Sequence, residues 1–423
     1  MNTVVIEKKD RRLKASVRLP FSKSISNRLL TMEALSGKTF PLKNISTADD
    51  TILLRQLLSS KEKTFDAQNA GTCFRFLTAY LSLKEGKRTL TGSYRMKQRP
   101  TGELVDALRQ LGADIKYLEK EKFPPLLIHG KKLTGGTINI NASNSSQFVS
   151  SMLLVAPYVE GGVKIKLSGK VASRPYIEMT LKLMERFGIN FFRNENVIEI
   201  HEQEYIPLEY SVEPDWSSAA FWYAMAALSD EAEIFLEGLS QESIQGDSIV
   251  AELMKDFGVE TKFTMEGALI THGKKLSPKN FLFNFTNHPD LAPAFFVLCF
   301  ALGVNAKFTG LKNLSIKESN RMEALKRELE KCGAGISKVS EDEYHLRPHP
   351  LTPSPLGEGE HSRALKVEGY QFETYNDHRL AMSLAMLAIP LGKVEIKNPA
   401  VVSKSYPEFW NDLRSAGFGV KFL

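Results

Sequence analysis

At 423 residues the chain is long enough for two domains, or for one domain built from a repeated unit. Apolar residues make up 43% and charged residues 25%, which excludes wholesale disorder and a small disulfide-stapled scaffold. Lysine and arginine number 55 against 49 acidic residues, a mild excess spread along the chain that suits small anionic substrates at least as well as nucleic acid.

Cys73, Cys299 and Cys332 are an odd count without framework spacing, each in an apolar or helical context, so reduced thiols in a cytoplasmic protein are expected. The N-terminal stretch MNTVVIEKKDRRLK lacks the apolar run of a signal peptide. No segment reaches the length of about 18 apolar residues that a membrane span needs.

In chain order, six apolar segments open on a small polar or charged residue and predict buried helices: 24–35, 72–83, 145–156, 217–228, 290–302 and 378–389. Each is followed by a β-rich stretch, at 38–45, 88–94, 163–169, 233–239, 306–311 and 393–400. An amphipathic helix is then predicted at 51–58, 103–111, 176–187, 249–257, 322–332 and 408–416, with Gly112, Gly188, Gly258, Gly333 and Gly417 near the stops. Three units lie on either side of residue 215, where EYSVEPDW breaks the pattern. Residues 347–365, rich in proline, glycine and polar side chains, read as a loop insertion.

The chemistry gathers where helices begin. Lys23, Ser24 and Arg28 open the first buried helix; Asn69, Gly71, Thr72 and Arg75 the second; Asn144, Ser145, Ser146 and Gln147 the third; Asp377, His378 and Arg379 the sixth. Helix N-termini offer unpaired N–H groups and a positive dipole end to an anion. Any one of these serines or asparagines reads better as a plain N-cap, but basic residues recur beside them. A second set precedes the amphipathic helices: Arg95, Lys97 and Arg99; Ser173, Arg174 and Tyr176; Lys317, Glu318 and Arg321; Ser403 and Lys404. Cations at matching places in both halves would clamp a multiply charged substrate, arginine as a fork and lysine as a point charge. Asp290 and Glu318 stand out as acid–base candidates, with a helix cap and an ordinary ion-pair partner as equal alternatives. His378 reads as a structural residue at a helix start, and Cys73 as core. No zinc spacing, Walker loop or Rossmann fingerprint occurs, so no metal or other cofactor is indicated.

These motifs, in order and over nearly the whole length, resemble the 5-enolpyruvylshikimate-3-phosphate (EPSP) synthase family of enolpyruvyl transferases. The resemblance implies an α/β (α+β) fold, a two-domain inside-out α/β barrel with three βαβαββ repeats in each domain. Residues 1–19 with 213–423 would form one domain and 20–212 the other. It also implies transfer of the enolpyruvyl group of phosphoenolpyruvate to the 5-hydroxyl of shikimate 3-phosphate, by a monomer without cofactor, nucleic acid or membrane. By the same resemblance Ser24 and Arg28 hold the shikimate carboxylate. Ser145, Ser146, Ser173, Asn313 and Lys317 hold its phosphate, and Tyr176 packs on the ring. Lys23, Gly71, Arg99, Gln147 and Lys404 cradle the phosphate of phosphoenolpyruvate, with Arg321 and Arg379 on its carboxylate. Asp290 takes the hydroxyl proton, and Glu318 with Lys23 manages the proton at the methylene carbon. Lys23 and Gln147 would touch both substrates, and Asp290 would also contact shikimate 3-phosphate. Gly71 goes, in the family, with sensitivity to glyphosate.

Three positions depart from the family pattern: Phe21 where glycine is familiar, Phe76 where proline or leucine is common, and Asn320 where an acidic residue is usual. Two alternatives stay open at this point. One is the related transferase acting on a UDP-sugar, whose reactive-cysteine loop has no counterpart here. The other is a non-catalytic anion-binding protein, which leaves Asp290 and Glu318 unexplained.

Overall fold

The computed structural model describes residues 2–273, 277–347 and 369–423. The expected insertion at 347–365 lies, apart from Arg347, outside the described residues.

The six apolar segments form helices: Lys23–Ser36, Gly71–Leu83, Ser146–Val155, Trp216–Leu228, Ala292–Leu302 and His378–Ala385. They are apolar or small on nearly every side, so no face suits solvent, and they sit in the interior; every residue of Trp216–Leu228 is buried. The amphipathic segments form the outer helices Asp49–Ser59, Gly102–Gln110, Arg174–Arg186, Arg321–Glu330 and Phe409–Ser415. The one expected at 249–257 is a composite, a short α-helical stretch Val250–Leu253 between the 3-10 turns Gly246–Ile249 and Met254–Phe257.

The described residues contain five four-stranded sheets and one two-stranded sheet. The five share a plan: a parallel pair, such as Thr64–Asp66 with Gly86–Thr91, extended by two antiparallel strands, here Leu126–Gly130 and Asp114–Tyr117. In the first unit the β-rich stretch at 38–45 contracts to Leu42–Lys43, paired in parallel with Tyr210–Ser211. Pro41 has no N–H to donate and Asn44 takes a left-handed backbone (φ 58°), so pairing stops on both sides.

The N-terminus completes units of the second half of the chain rather than the first unit. Thr3–Glu7 lies between Lys393–Lys397 and Gly419–Phe422, and Arg12–Val17 pairs in parallel with Glu231–Glu237. Buried apolar side chains form two clusters, one within 25–212 and the other within 4–19 and 216–418, which define two lobes. The chain passes between them twice, side by side: Ser22 N donates to Glu213 O at 2.9 Å and Asp215 N to Pro20 O at 2.8 Å. Phe21, one of the departures from the family pattern, bridges to Pro214 there.

Candidate active site

The starts of the buried helices at Lys23, Gly71, Ser146 and His378 and the loops that carry Arg99, Ser173 and Lys317 meet between the lobes. The result is one hollow between the lobes. Every residue given a role by the family resemblance lines it except Lys404, whereas Asn69, Arg75, Arg95, Lys97, Arg174, Asp377 and Ser403, singled out from their helix-start or loop positions, do not. Asp50, Thr72, Asn144 and His378 line it as well.

Its charge is unbalanced. Lys23, Arg28, Arg99, Lys317, Arg321 and Arg379 face three carboxylates, those of Asp50, Asp290 and Glu318. Arg28 is 3% exposed, yet its donors reach only neutral oxygens: Thr180 Oγ1 (2.7 Å), the Ser24 carbonyl (2.7 Å), Ser150 Oγ (3.2 Å) and the Tyr176 carbonyl (3.1 Å). Burial draws its pKa down to about 10, and the Phe76 ring, 5.6 Å from the guanidinium carbon, supplies a partly negative face. Arg99 is 4% exposed, and its Nε and Nη1 find no hydrogen-bond acceptor among the described residues. Its Nη1 lies 3.6 Å from Glu318 Oε1.

Lys23 opens its helix with Nζ 2.9 Å from Asp50 Oδ2. Burial alone would lower its pKa, but Asp50 outweighs burial and raises it. Lys404 stands one step behind, Nζ 3.3 Å from Asp50 Oδ1 and donating to the Asn69 carbonyl at 2.7 Å. Asp50 thus joins two lysines from different lobes. As the second of two acids at the start of an amphipathic helix it carried only the signal of a helix-dipole partner.

On the other wall Arg321, 1% exposed, donates to three carboxylates: Asp377 Oδ2 (2.7 Å), Asp290 Oδ1 (3.1 Å) and Glu318 Oε2 (2.9 Å). Arg379 Nη2 donates to Asp290 Oδ2 at 2.8 Å. For Asp290 burial favours the neutral acid, but Arg379, then Lys317 and Arg321, overcome it and hold the carboxyl well below the usual range. Glu318 is likewise held low against burial, by Arg99 and Arg321 first. Asn320 accepts from Glu323 N and caps the helix that carries Arg321.

Polar groups complete the floor. Ser145 caps Ser146–Val155, accepting from Gln147 N, and Gln147 Nε2 donates to Thr72 Oγ1 at 3.0 Å. Ser173 takes a left-handed backbone (φ 55°), uncommon for a serine, while its N–H donates across the lobes to the Thr286 carbonyl at 2.8 Å. Asn313 Nδ2 reaches the Ser143 carbonyl at 3.0 Å. His378, read from sequence as a helix-start residue, lines the hollow with neither ring nitrogen hydrogen-bonded to the described residues. Burial, then Lys23 and Arg379, push its pKa well down, so it is a neutral imidazole. The three cysteines are free and buried, and Cys73 Sγ points at the Asp50 carbonyl (2.9 Å), as a core thiol would. Among the described residues no helix is long and apolar enough to cross a membrane.

A hollow of paired lobes, cationic on both walls and holding two arginine-bound carboxylates, defines a site for small polyanions with acid–base groups at its centre. Residues 7–413 match the family described as EPSP synthase (3-phosphoshikimate 1-carboxyvinyltransferase). The chain is 44% identical over 417 residues to the 3-phosphoshikimate 1-carboxyvinyltransferase of Bacteroides fragilis strain YCH46, covering 97% of both chains. It is 35% identical over 433 residues to the enzyme of that name from Vibrio atlanticus, covering 95% of this chain and 97% of the relative. The fold matches an EPSP synthase structure from Acinetobacter baumannii with a TM-score of 0.75 and 21% identity, over 100% of both chains. The chain belongs to the EPSP synthase family.

Proposed function

We propose that this protein transfers the enolpyruvyl group of phosphoenolpyruvate to the 5-hydroxyl of shikimate 3-phosphate and releases phosphate through a tetrahedral intermediate. One observation carries the reading: six buried or half-buried cations from two lobes line one hollow with only three carboxylates among them. Each substrate brings a phosphate and a carboxylate, the charges that this excess lacks.

Ser24 and Arg28 take the shikimate carboxylate, and Ser145, Ser146, Ser173, Asn313 and Lys317 its phosphate, with Tyr176 against the ring. Lys23, the Gly71 N–H, Arg99 and Gln147 take the phosphate of phosphoenolpyruvate. Lys404, now turned to Asp50, swings toward the same group. Arg321 and Arg379 take the carboxylate of phosphoenolpyruvate, and this has a consequence for Asp290. Both arginines now hold Asp290 in its ionised, weakly basic form. A substrate carboxylate that shares them relaxes that hold, so the basicity of Asp290 rises when phosphoenolpyruvate is in place. The carboxylate then accepts the proton of the 5-hydroxyl as its oxygen bonds to C2 of phosphoenolpyruvate. Of the pair Glu318 and Lys23, the Lys23 ammonium delivers a proton to C3, and the ionised Glu318 removes one again as the C2–O bond to phosphate breaks. The surrounding charges act strongly because the closed site excludes water.

We take 1–19 with 213–423 and 20–212 as the two domains, in one copy of the chain acting in a reducing cytoplasm. The support is the pair of apolar clusters, the supply of the whole hollow by one chain, and the free buried thiols. Cations on facing walls repel one another until anions neutralise them, so closure follows ligand.

The test is release of inorganic phosphate with both substrates, compared with Lys23→Ala, Asp290→Ala and Glu318→Ala. Turnover by the unaltered chain and loss in all three variants is expected. Full activity in all three, or release only when a UDP-sugar replaces shikimate 3-phosphate, would refute the reading.

A further inference from the structure

The turn that delivers Arg99 carries a second arginine with no part in the proposed reaction. Arg95 precedes the 3-10 turn Met96–Gln98, whose backbone bonds tie Gln98 N to Arg95 O (3.1 Å) and Arg99 N to Met96 O (3.0 Å). The Arg95 side chain does not line the hollow. It crosses to the other lobe, where Nε donates to the Lys317 carbonyl at 3.1 Å and Nη2 to the Ser315 carbonyl at 3.0 Å. Its Nη1 meets Gln98 Oε1 of its own turn at 3.4 Å.

We infer that Arg95 is a positioning residue: by fastening these two carbonyls it sets the backbone from which Lys317 and Glu318 reach the hollow. The inference rests on the roles proposed above for those two residues.

Three features support it. Ser315 lies near the end of the 3-10 helix Lys312–Ile316, where carbonyls find no N–H donor further along the helix and need an outside one. The Nε–Nη2 edge of a guanidinium presents two parallel N–H groups, a match for two carbonyls two residues apart; an ammonium offers a single point of attachment. Arg99, at the far end of the same turn, lies 3.6 Å from Glu318. One turn therefore grips 315–318 twice, at the backbone through Arg95 and at a side chain through Arg99. Both carbonyls belong to the opposite lobe, so the grip forms only when the lobes meet. A residue of this kind acts on the assembled site and not on either lobe alone.

The experiment measures phosphate release, phosphoenolpyruvate KM and the thermal midpoint of the unliganded full chain for the wild type, Arg95→Gln, Arg95→Lys and Glu318→Gln. Loss of two hydrogen bonds from a charged donor is expected to lower kcat on the order of 10- to 100-fold in Arg95→Gln. The KM should change much less, and the midpoint should stay near that of the wild type. Arg95→Lys, able to reach one carbonyl, should recover part of kcat. Full kcat in Arg95→Gln beside an impaired Glu318→Gln overturns the inference alone. A kcat loss matched by a falling midpoint and not relieved by lysine also overturns it. Full activity in Glu318→Gln overturns the site reading, and this inference with it.

Discussion

Tyr176 and Asp290 come from opposite lobes and share a hydrogen bond, the phenol donating to Oδ2 at 3.0 Å. Burial first, then the carboxylates of Asp247 and Asp290, raise the phenol's pKa well above its ordinary value, so it remains a donor. An Asp290→Asn change keeps an acceptor oxygen but removes the proposed base. Asp290→Asn is expected to lower turnover by roughly 10²–10⁴-fold, while calorimetry still detects shikimate 3-phosphate binding. Near-normal turnover would take Asp290 out of the reaction.

At Gly246 the lobes pack closely. A Cβ built there would lie 2.2 Å from Pro175 Cβ, and Pro175 starts the helix Arg174–Arg186 of the other lobe. The Gly246 backbone is not left-handed, so alanine disturbs the contact and not the chain. Overpacking of this kind costs about 1–3 kcal/mol, which corresponds to a fall in kcat of roughly 5- to 160-fold if it is felt only on closure. The unliganded thermal midpoint should barely move. Small-angle scattering should show less compaction with substrate; compaction equal to that of the wild type would sink the idea.

Gly71 sits under Arg99. A Cβ at Gly71 would lie 2.7 Å from Arg99 Nη2 and 2.9 Å from Nη1. A side-chain tip can move at little cost to stability, but this one is displaced from its proposed phosphate. Gly71→Ala should therefore raise the phosphoenolpyruvate KM by about tenfold, the worth of one weak charge-assisted bond, with shikimate 3-phosphate affinity unchanged. The unaltered protein should be inhibited by glyphosate at or below about millimolar concentration, the upper range of ordinary substrate KM values. Indifference at that level would separate this chain from the family pattern at Gly71.

Asp412 offers a pH test away from the hollow. Its carboxyl is pushed up from 3.8 to about 6, by burial first and then by Glu408 and Glu237, although Tyr406 OH donates to it at 2.7 Å. The folded state thus binds the proton more tightly than the unfolded state. Ionisation costs no stability below about pH 4; the cost grows between 4 and 6 and is complete above 6. Asp412→Asn, which can still accept the Tyr406 bond, should stabilise the chain above pH 6 by about 1 kcal/mol, after discounting for partial solvent exposure. Denaturant melts at pH 4 and pH 8 check it: the gain should be larger at pH 8, and an equal gain at both would rule out a carboxyl titrating in this way.

Much of the fold was readable in the chain. The all-apolar helices, the amphipathic helices with their terminal glycines and the break at EYSVEPDW follow from side-chain periodicity, which is a local property. The strand expected at 38–45 shrank because Pro41 and Asn44 limit pairing, and those two residues could have been read as such. The composite turn at 246–257 was less legible, since apolar spacing does not separate α from 3-10 geometry. In the site, helix-start motifs with basic neighbours pointed to Lys23, Arg28, Gly71 and Arg379. Asp50 gave no such sign, because an acid at the start of a helix is what the dipole alone would favour.

Residue types and their spacing, by themselves, determined the repeat, the helices and which side chains could bind anions, because each depends on neighbours a few positions away. Contacts across 222 positions, such as Arg95 with the Lys317 carbonyl, or across 354, such as Ser403 with Asp49, leave no trace in local pattern. Only the packing of the lobes decided that Asp50 joins two lysines, that Arg321 gathers three carboxylates, and that Asp290 is held ionised. Those charges act through space at 2.7–3.3 Å, and the tertiary structure alone sets such distances.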